Sequence, residues 1–135
     1  MSEVPPDLRV YLVDLAVQIG KNLRIKLDFS DGSIAQVENI LRMTAKQYKK
    51  TADAAGLNGI ALEMAAYIIT VIEKTGPVGR WERDHPEMGE DTFPYYWNEA
   101  VLFPYAWCQK RIFDGEQDDV WAKYKTLVID RRNKS

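Results

Sequence analysis

The chain is short of reactive side chains. Its 135 residues include one cysteine, Cys108, and one histidine, His85. A single cysteine excludes an intramolecular disulfide and fits a reducing cytoplasm. A nucleophilic thiol needs a base and a lowered pKa, and a working histidine needs a defined partner. No pattern of that kind joins the two, so Cys108 reads as a buried structural thiol and His85 as an exposed loop residue. Long apolar runs are also missing: no stretch approaches the roughly 18 residues that span a bilayer. The start, Met1 to Asp7, has no basic region followed by an apolar core, so no secretory signal is expected and the expected location is cytoplasmic. An excess of positive charge is lacking as well. Eighteen Lys and Arg face 20 Asp and Glu, for a formal charge of −2 and a pI near 5.4. Nucleic-acid binding needs a basic face, so no nucleic-acid partner is expected.

Ligand motifs are absent too. Gly76-Pro77-Val78-Gly79-Arg80-Trp81 has two glycines and an arginine, without the longer glycine pattern and lysine of a phosphate loop. The acids between 82 and 91 lack the alternating ligand positions of a calcium loop. No cofactor, metal or catalytic residue is expected, and the chain reads as a non-enzyme.

A single globular domain over 1–135 is the expectation, with 1–5 and 132–135 frayed. A chain of this length buries roughly 65–70% of its unfolded surface, enough for one core. The first half reads as helices. Leu8, Leu12, Leu15, Ile19 and Leu23, with Tyr11, recur at helical steps and predict a helix over 6–25. Ser33 with Gln36 resembles a capping box. Ile34, Val37, Leu41, Thr44 and Tyr48, widened by Ile40, then predict a helix over 33–53, with Lys46, Lys49 and Lys50 on or near its outer face. A third helix over 58–75 is apolar nearly all round. It reads as the central element, ended by Gly76 in a left-handed cap.

The second half changes character. A short strand over 78–83, a polar loop over 84–91 and strands over 92–97 and 100–103 are expected, turning at Asn98-Glu99. Pro94 suggests an edge strand. Pro104 opens a helix over 104–113 that stops at Asp114-Gly115, and Asp118 or Asp119 caps a last helix over 119–131. The fold class is therefore α+β: a mostly helical domain of about five helices, with a two- or three-stranded antiparallel sheet packed on the third.

An aromatic phrase occurs twice here. Phe93-Pro94-Tyr95-Tyr96-Trp97 and Phe103-Pro104-Tyr105-Ala106-Trp107 both read Phe-Pro-Tyr-x-Trp. Strand and helix assignments put the copies in different structures, so the repeat is not a duplicated unit. The rings serve the core alone, or the core and an interface. Trp81 anchors its strand in the core, and Arg80 pairs with an acid of the following loop. Glu82, Asp84, Glu87, Glu90 and Asp91 face one base, Arg83. These acids are candidate steering groups for a basic protein partner, with Tyr95, Tyr96 and Trp97 as anchors. A second candidate is the polar stripe Glu63, Tyr67, Thr70 and Lys74 on the third helix. It is either that helix's solvent face or the floor of a cleft in which Glu63 and Tyr67 contact a ligand.

Over about half its length, Leu62 to Leu127, the chain resembles a loosely defined group of small bacterial domains of unknown function. The residues that carry the resemblance are Tyr67, Gly76, Gly79, Arg80, Trp81, Phe103-Pro104, Lys110-Arg111-Ile112, Gly115 and Tyr124, with the turns at Asp28-Phe29-Ser30 and Ser33-Ile34. Many members carry Gly-Glu within the third helix, where this chain has Ile69-Thr70. The resemblance implies an accessory, inhibitor or immunity-type protein. Three readings follow: a non-catalytic protein-binding domain, a small-molecule-binding module or weak hydrolase using Glu63 and Tyr67, and a structural subunit of a homo-oligomer.

Overall fold

The computed structural model describes residues 2–134, and the expected fraying of Met1 and Ser135 lies outside them. Helix α1 spans Pro6–Asn22, α2 Ser33–Thr51, α3 Leu57–Thr75 and α4 Pro104–Phe113. Strands β1 (Arg80–Trp81), β2 (Tyr95–Trp97) and β3 (Ala100–Leu102) form an antiparallel sheet in the order β1-β2-β3. The last helix starts as α5 (Val120–Tyr124) and passes through a π-helical turn (Lys125–Ile129) into α6 (Asp130–Asn133). The fold is the expected mostly helical α+β domain.

Helix α3 is the central rod. Met64 through Ile69, with Ala61, Val71 and Ile72, have essentially no exposed surface. It packs against α1 on one side and α4 on another, while α2 packs on α4 and α5. Burying each large aliphatic side chain contributes about 1.5–3 kcal/mol, which is why a helix this apolar takes the middle. Helix α1 corrects the leucine periodicity. Its buried face is Leu12, Ala16 and Gly20, whereas Leu8, Tyr11 and Leu23 are exposed. A Cβ on Gly20 would sit 2.7 Å from the Ile25 carbonyl oxygen. Gly20 thus makes room for the chain that turns back after α1.

Three local expectations change. Gly32 precedes α2, and Ser33 lies inside its first turn. The Ser33 hydroxyl donates to the Ser30 carbonyl (2.6 Å) and meets the Tyr67 hydroxyl (2.7 Å), so no capping box forms. Gly76 is extended (φ −167°), not left-handed. Strand β2 is the central strand, not an edge. Pro94 stands just before it, where its missing N–H costs nothing and its carbonyl accepts from Glu82 N (2.9 Å).

The sheet is tied to the C-terminal end of α3. The Tyr95 hydroxyl donates to Glu73 (2.7 Å), and Gly79 N–H donates to that hydroxyl (3.0 Å). Gly79 must be glycine: a Cβ there would lie 2.7 Å from the Tyr95 ring. Arg9 of α1 closes the cluster on Glu73 (2.5 Å). Asn98 and Glu99 both have positive φ (50° and 62°), the pair of values a type I′ hairpin turn requires.

Near the ends, residues 2–4 and Arg132 are held by hydrogen bonds rather than frayed. Val4 N–H donates to the Trp81 carbonyl (2.9 Å) and Arg83 N–H to the Ser2 carbonyl (2.7 Å), which covers the β1 edge. Arg132 pairs with Asp31 (2.6 Å) and donates to the Thr75 carbonyl (3.1 Å), while the Tyr124 hydroxyl donates to the same Asp31. Asp119 caps α5, accepting from Ala122 N–H (2.9 Å).

Candidate interaction surface

Alternation along the strands sorts the aromatic window. In the register Arg80↔Tyr96↔Val101, these three side chains share the outer face of the sheet. Their neighbours Trp81, Tyr95, Trp97 and Leu102 turn inward and are buried. Tyr95 and Trp97 are therefore corrected as anchors: they are core residues, and only Tyr96 of the three faces out. Burial and the Glu73 carboxylate hold the Tyr95 phenol well above its ordinary pKa, so it stays a neutral donor. Trp97 donates its indole N–H to the Pro77 carbonyl (3.0 Å). The second copy of the phrase lies in α4, where Trp107 is buried and Tyr105 is half-buried.

Tyr96 organises the outer face. The Arg80 guanidinium lies 4.6 Å from its ring centroid, within cation–π range. Arg80 also pairs with Glu82 (3.1 Å), two residues along its own segment rather than an acid of the following loop. The His85 ring lies nearly parallel to Tyr96 (10°, 6.3 Å) and 5.8 Å from Phe103. His85 is thus half-buried over the sheet rather than free in a loop. Its Nδ1 accepts from Glu87 N–H and Met88 N–H (3.0 Å each). Two backbone bonds between His85 and Gly89 close the tight loop that carries it. Met88, 63% exposed, and Val101, 38% exposed, add apolar surface beside the rings.

The five acids divide by role. Glu82 is tied to Ser2 N–H (3.2 Å), the Ser2 hydroxyl and Arg80, so it is structural. Asp84 accepts from Asp91 N–H (3.0 Å), and Asp91 pairs with Arg83 (2.5 Å), which shapes the loop. Glu87 and Glu90 are exposed. They have no ion pair among the described residues. Of the five acids, Glu87 and Glu90 are therefore the exposed ones outside any ion pair among the described residues, with exposed Asp91 near them in sequence.

The Glu63 stripe does not assemble a site. Tyr67 is fully buried: its hydroxyl accepts from Phe29 N–H (2.9 Å) and meets Ser33, and burial raises its pKa. Thr70 donates back to the Ala66 carbonyl (2.9 Å). Glu63 is half-buried, and partial desolvation raises its carboxyl above the usual range. Thr70 and Lys74 line a cleft of about 450 Å³ between α1 and α3, together with Val10, Val13 and Phe29. Glu63 and Tyr67 are not among its walls, and buried Tyr67 breaks the stripe's solvent face.

Cys108 is fully buried, and desolvation pushes its thiol well above the ordinary range. No group of three His, Cys, Asp or Glu side chains that could hold a metal occurs among the described residues. No described helix is long and apolar enough to cross a membrane.

Sequence reasoning missed Glu38, which is buried in α2 among Ile34, Val37 and Leu41. The Arg111 Nε donates to both its oxygens (2.9 and 3.1 Å), and Val120 N–H adds a third bond (3.0 Å). An acid inside an apolar stripe was the available signal. No protein-family model matches the chain, and no curated protein or solved structure matches it.

Proposed function

We propose that this is a non-catalytic protein-binding domain that uses the outer face of its sheet against a basic protein surface. The supporting observation is Tyr96, held between Arg80 and a His85 ring that also packs on Phe103, with exposed Glu87, Met88 and Glu90 in the loop that carries His85. Aromatic anchors with an apolar neighbour and a charged rim are the composition of interface hot spots. Unpaired acids at the rim raise association rates with a basic partner and make binding salt-dependent. The small bacterial domains that the sequence resembles suggest an inhibitor or immunity role in the cytoplasm, blocking one cognate protein.

The test is capture of a partner by tagged wild-type protein, followed by affinity measurement against Tyr96→Ala and Glu87→Gln/Glu90→Gln variants. The reading requires Tyr96→Ala to weaken the complex at least tenfold with the unfolding midpoint nearly unchanged. It requires the charge variant to flatten the salt dependence of association. A partner that binds both variants as it binds the wild type sinks the proposal.

A small-ligand reading draws on the α1–α3 cleft alone, without Glu63 or Tyr67. Light scattering discriminates the homo-oligomer reading, since a monomer at high concentration leaves the sheet face for a different partner.

A further inference from the structure

The C-terminal half of α2 carries charge of one sign. Between Arg42 and Thr51 it holds Arg42, Lys46, Lys49 and Lys50 and no acid. Arg42 with Lys46, and Lys46 with Lys50, are four residues apart, and Lys46 with Lys49 three apart, so these charges repel along one side of the helix. The structure does little to neutralise them. Lys46 and Lys49 have no ion pair within 4.0 Å among the described residues. Arg42, with a side chain 56% exposed, reaches only Glu38 at 4.0 Å. The Glu38 oxygens are already occupied by Arg111 and Val120 N–H.

Three of these cations border a cavity. Arg42, Lys46 and Lys49 line a cleft of about 710 Å³ between α2 and the corner that follows α4. Its apolar part is Tyr48 and Phe113, packed edge to face at 5.0 Å and both half-buried. Asp114 and Glu116 line it as well. Gly115, with φ +118°, lets the chain turn sharply at this point. A cleft of this size is in the range of small-molecule sites.

We infer that this cleft binds an aromatic phosphate of the mononucleotide class. Three cations on one wall match a dianionic phosphate better than a single carboxylate, and the Arg42 fork suits phosphate oxygens. The Tyr48–Phe113 pair, packed edge to face, offers an apolar aromatic contact for a base. Asp114 and Glu116 are acceptors for ribose hydroxyls or an exocyclic amine. The same two carboxylates would repel a continuous phosphate backbone, which favours a mononucleotide over a nucleic-acid strand. This inference is independent of the sheet face.

The test is an amide-shift titration of the full chain with AMP, with adenosine and with inorganic phosphate as separate probes. The expected result is saturable AMP binding, with shifts confined to residues 42–49 and 111–117 and both fragments binding more weakly. Arg42→Gln/Lys46→Gln/Lys49→Gln should weaken AMP at least about tenfold, and Tyr48→Leu should weaken AMP while leaving phosphate unchanged. All three cations are exposed, so the folded spectrum should survive. Lys46→Gln/Lys49→Gln is the milder variant if it does not. Absence of saturation at millimolar AMP, undiminished AMP binding in the charge variants, or phosphate binding as tightly as AMP would each overturn the site. So would a single-stranded oligonucleotide that binds α2 and is not displaced by AMP.

Discussion

The α2–α4 junction and the loop that follows β1 are both organised by an arginine and a carboxylate, with opposite exposure. At the junction, Arg111 and Glu38 have side chains 3% and 4% exposed, and Val120 N–H completes the acid's bonds. In the loop that follows β1, Arg83 and Asp91 have side chains 62% and 56% exposed, and they shape a turn that water reaches. The buried pair has lost its hydration, so each partner is indispensable to the other even where the pair adds little net stability. The exposed pair keeps its hydration and contributes little to the fold. The comparison teaches that single charges of the exposed pair can be altered without unfolding the protein, whereas at the junction one partner cannot be removed without the other.

The contrast can be broken most directly at its buried end. Glu38→Ala leaves Arg111 charged and unpaired, and should cost about 3–5 kcal/mol in urea unfolding. Glu38→Leu with Arg111→Met should recover most of that loss, because no charge is then stranded. Equal losses in the two variants would mean that packing, not charge, governs the junction.

Tyr95→Phe comes next. It removes the donor to Glu73 and the acceptor for Gly79 N–H, and should cost about 1–3 kcal/mol. The pH dependence follows from the same burial. Tyr67, Tyr95 and Tyr124 all have raised pKa values, each chiefly through desolvation. Above pH ~10 the unfolded chain loses these protons while the folded protein keeps them. The stability these tyrosines contribute is therefore constant below that pH and falls as pH rises beyond it. Tyr95→Phe should shallow this alkaline loss, as followed by far-UV circular dichroism.

Tyr96→Ala is one position along the same strand on the other face. It should cost under about 1 kcal/mol of stability, within the range of surface substitutions, while removing most of the proposed binding. A loss as large as that of Tyr95→Phe would make Tyr96 a structural residue. Smallest of all, Glu87→Gln with Glu90→Gln should leave the unfolding midpoint unchanged, and its effect should appear only in the salt dependence of association.

Much of this contrast was legible along the chain, though not its sense. Helix α4 was readable from Pro104 and Gly115, and α5 from its Asp119 cap, because such signals act over a few residues. The aromatic window was visibly important, but Tyr95 and Tyr96 look alike in sequence. Glu38 and Arg111 are 73 residues apart, and neither implies the other. Along α1 the expected Leu12 is buried, but Leu8 and Leu23 are exposed, and Ala16 and Gly20, with little side chain to show, share the buried face.

The sequence by itself determined the positions of the helices and turns, the central place of apolar α3 and the small sheet between α3 and α4. Helical periodicity, proline and glycine stops and β-branched or aromatic runs all operate locally. Only the tertiary structure decided which tyrosine faces water, which acids are already occupied and which cations remain unpaired. Strand register and burial depend on contacts between distant segments, where desolvation makes one partner indispensable and leaves another free.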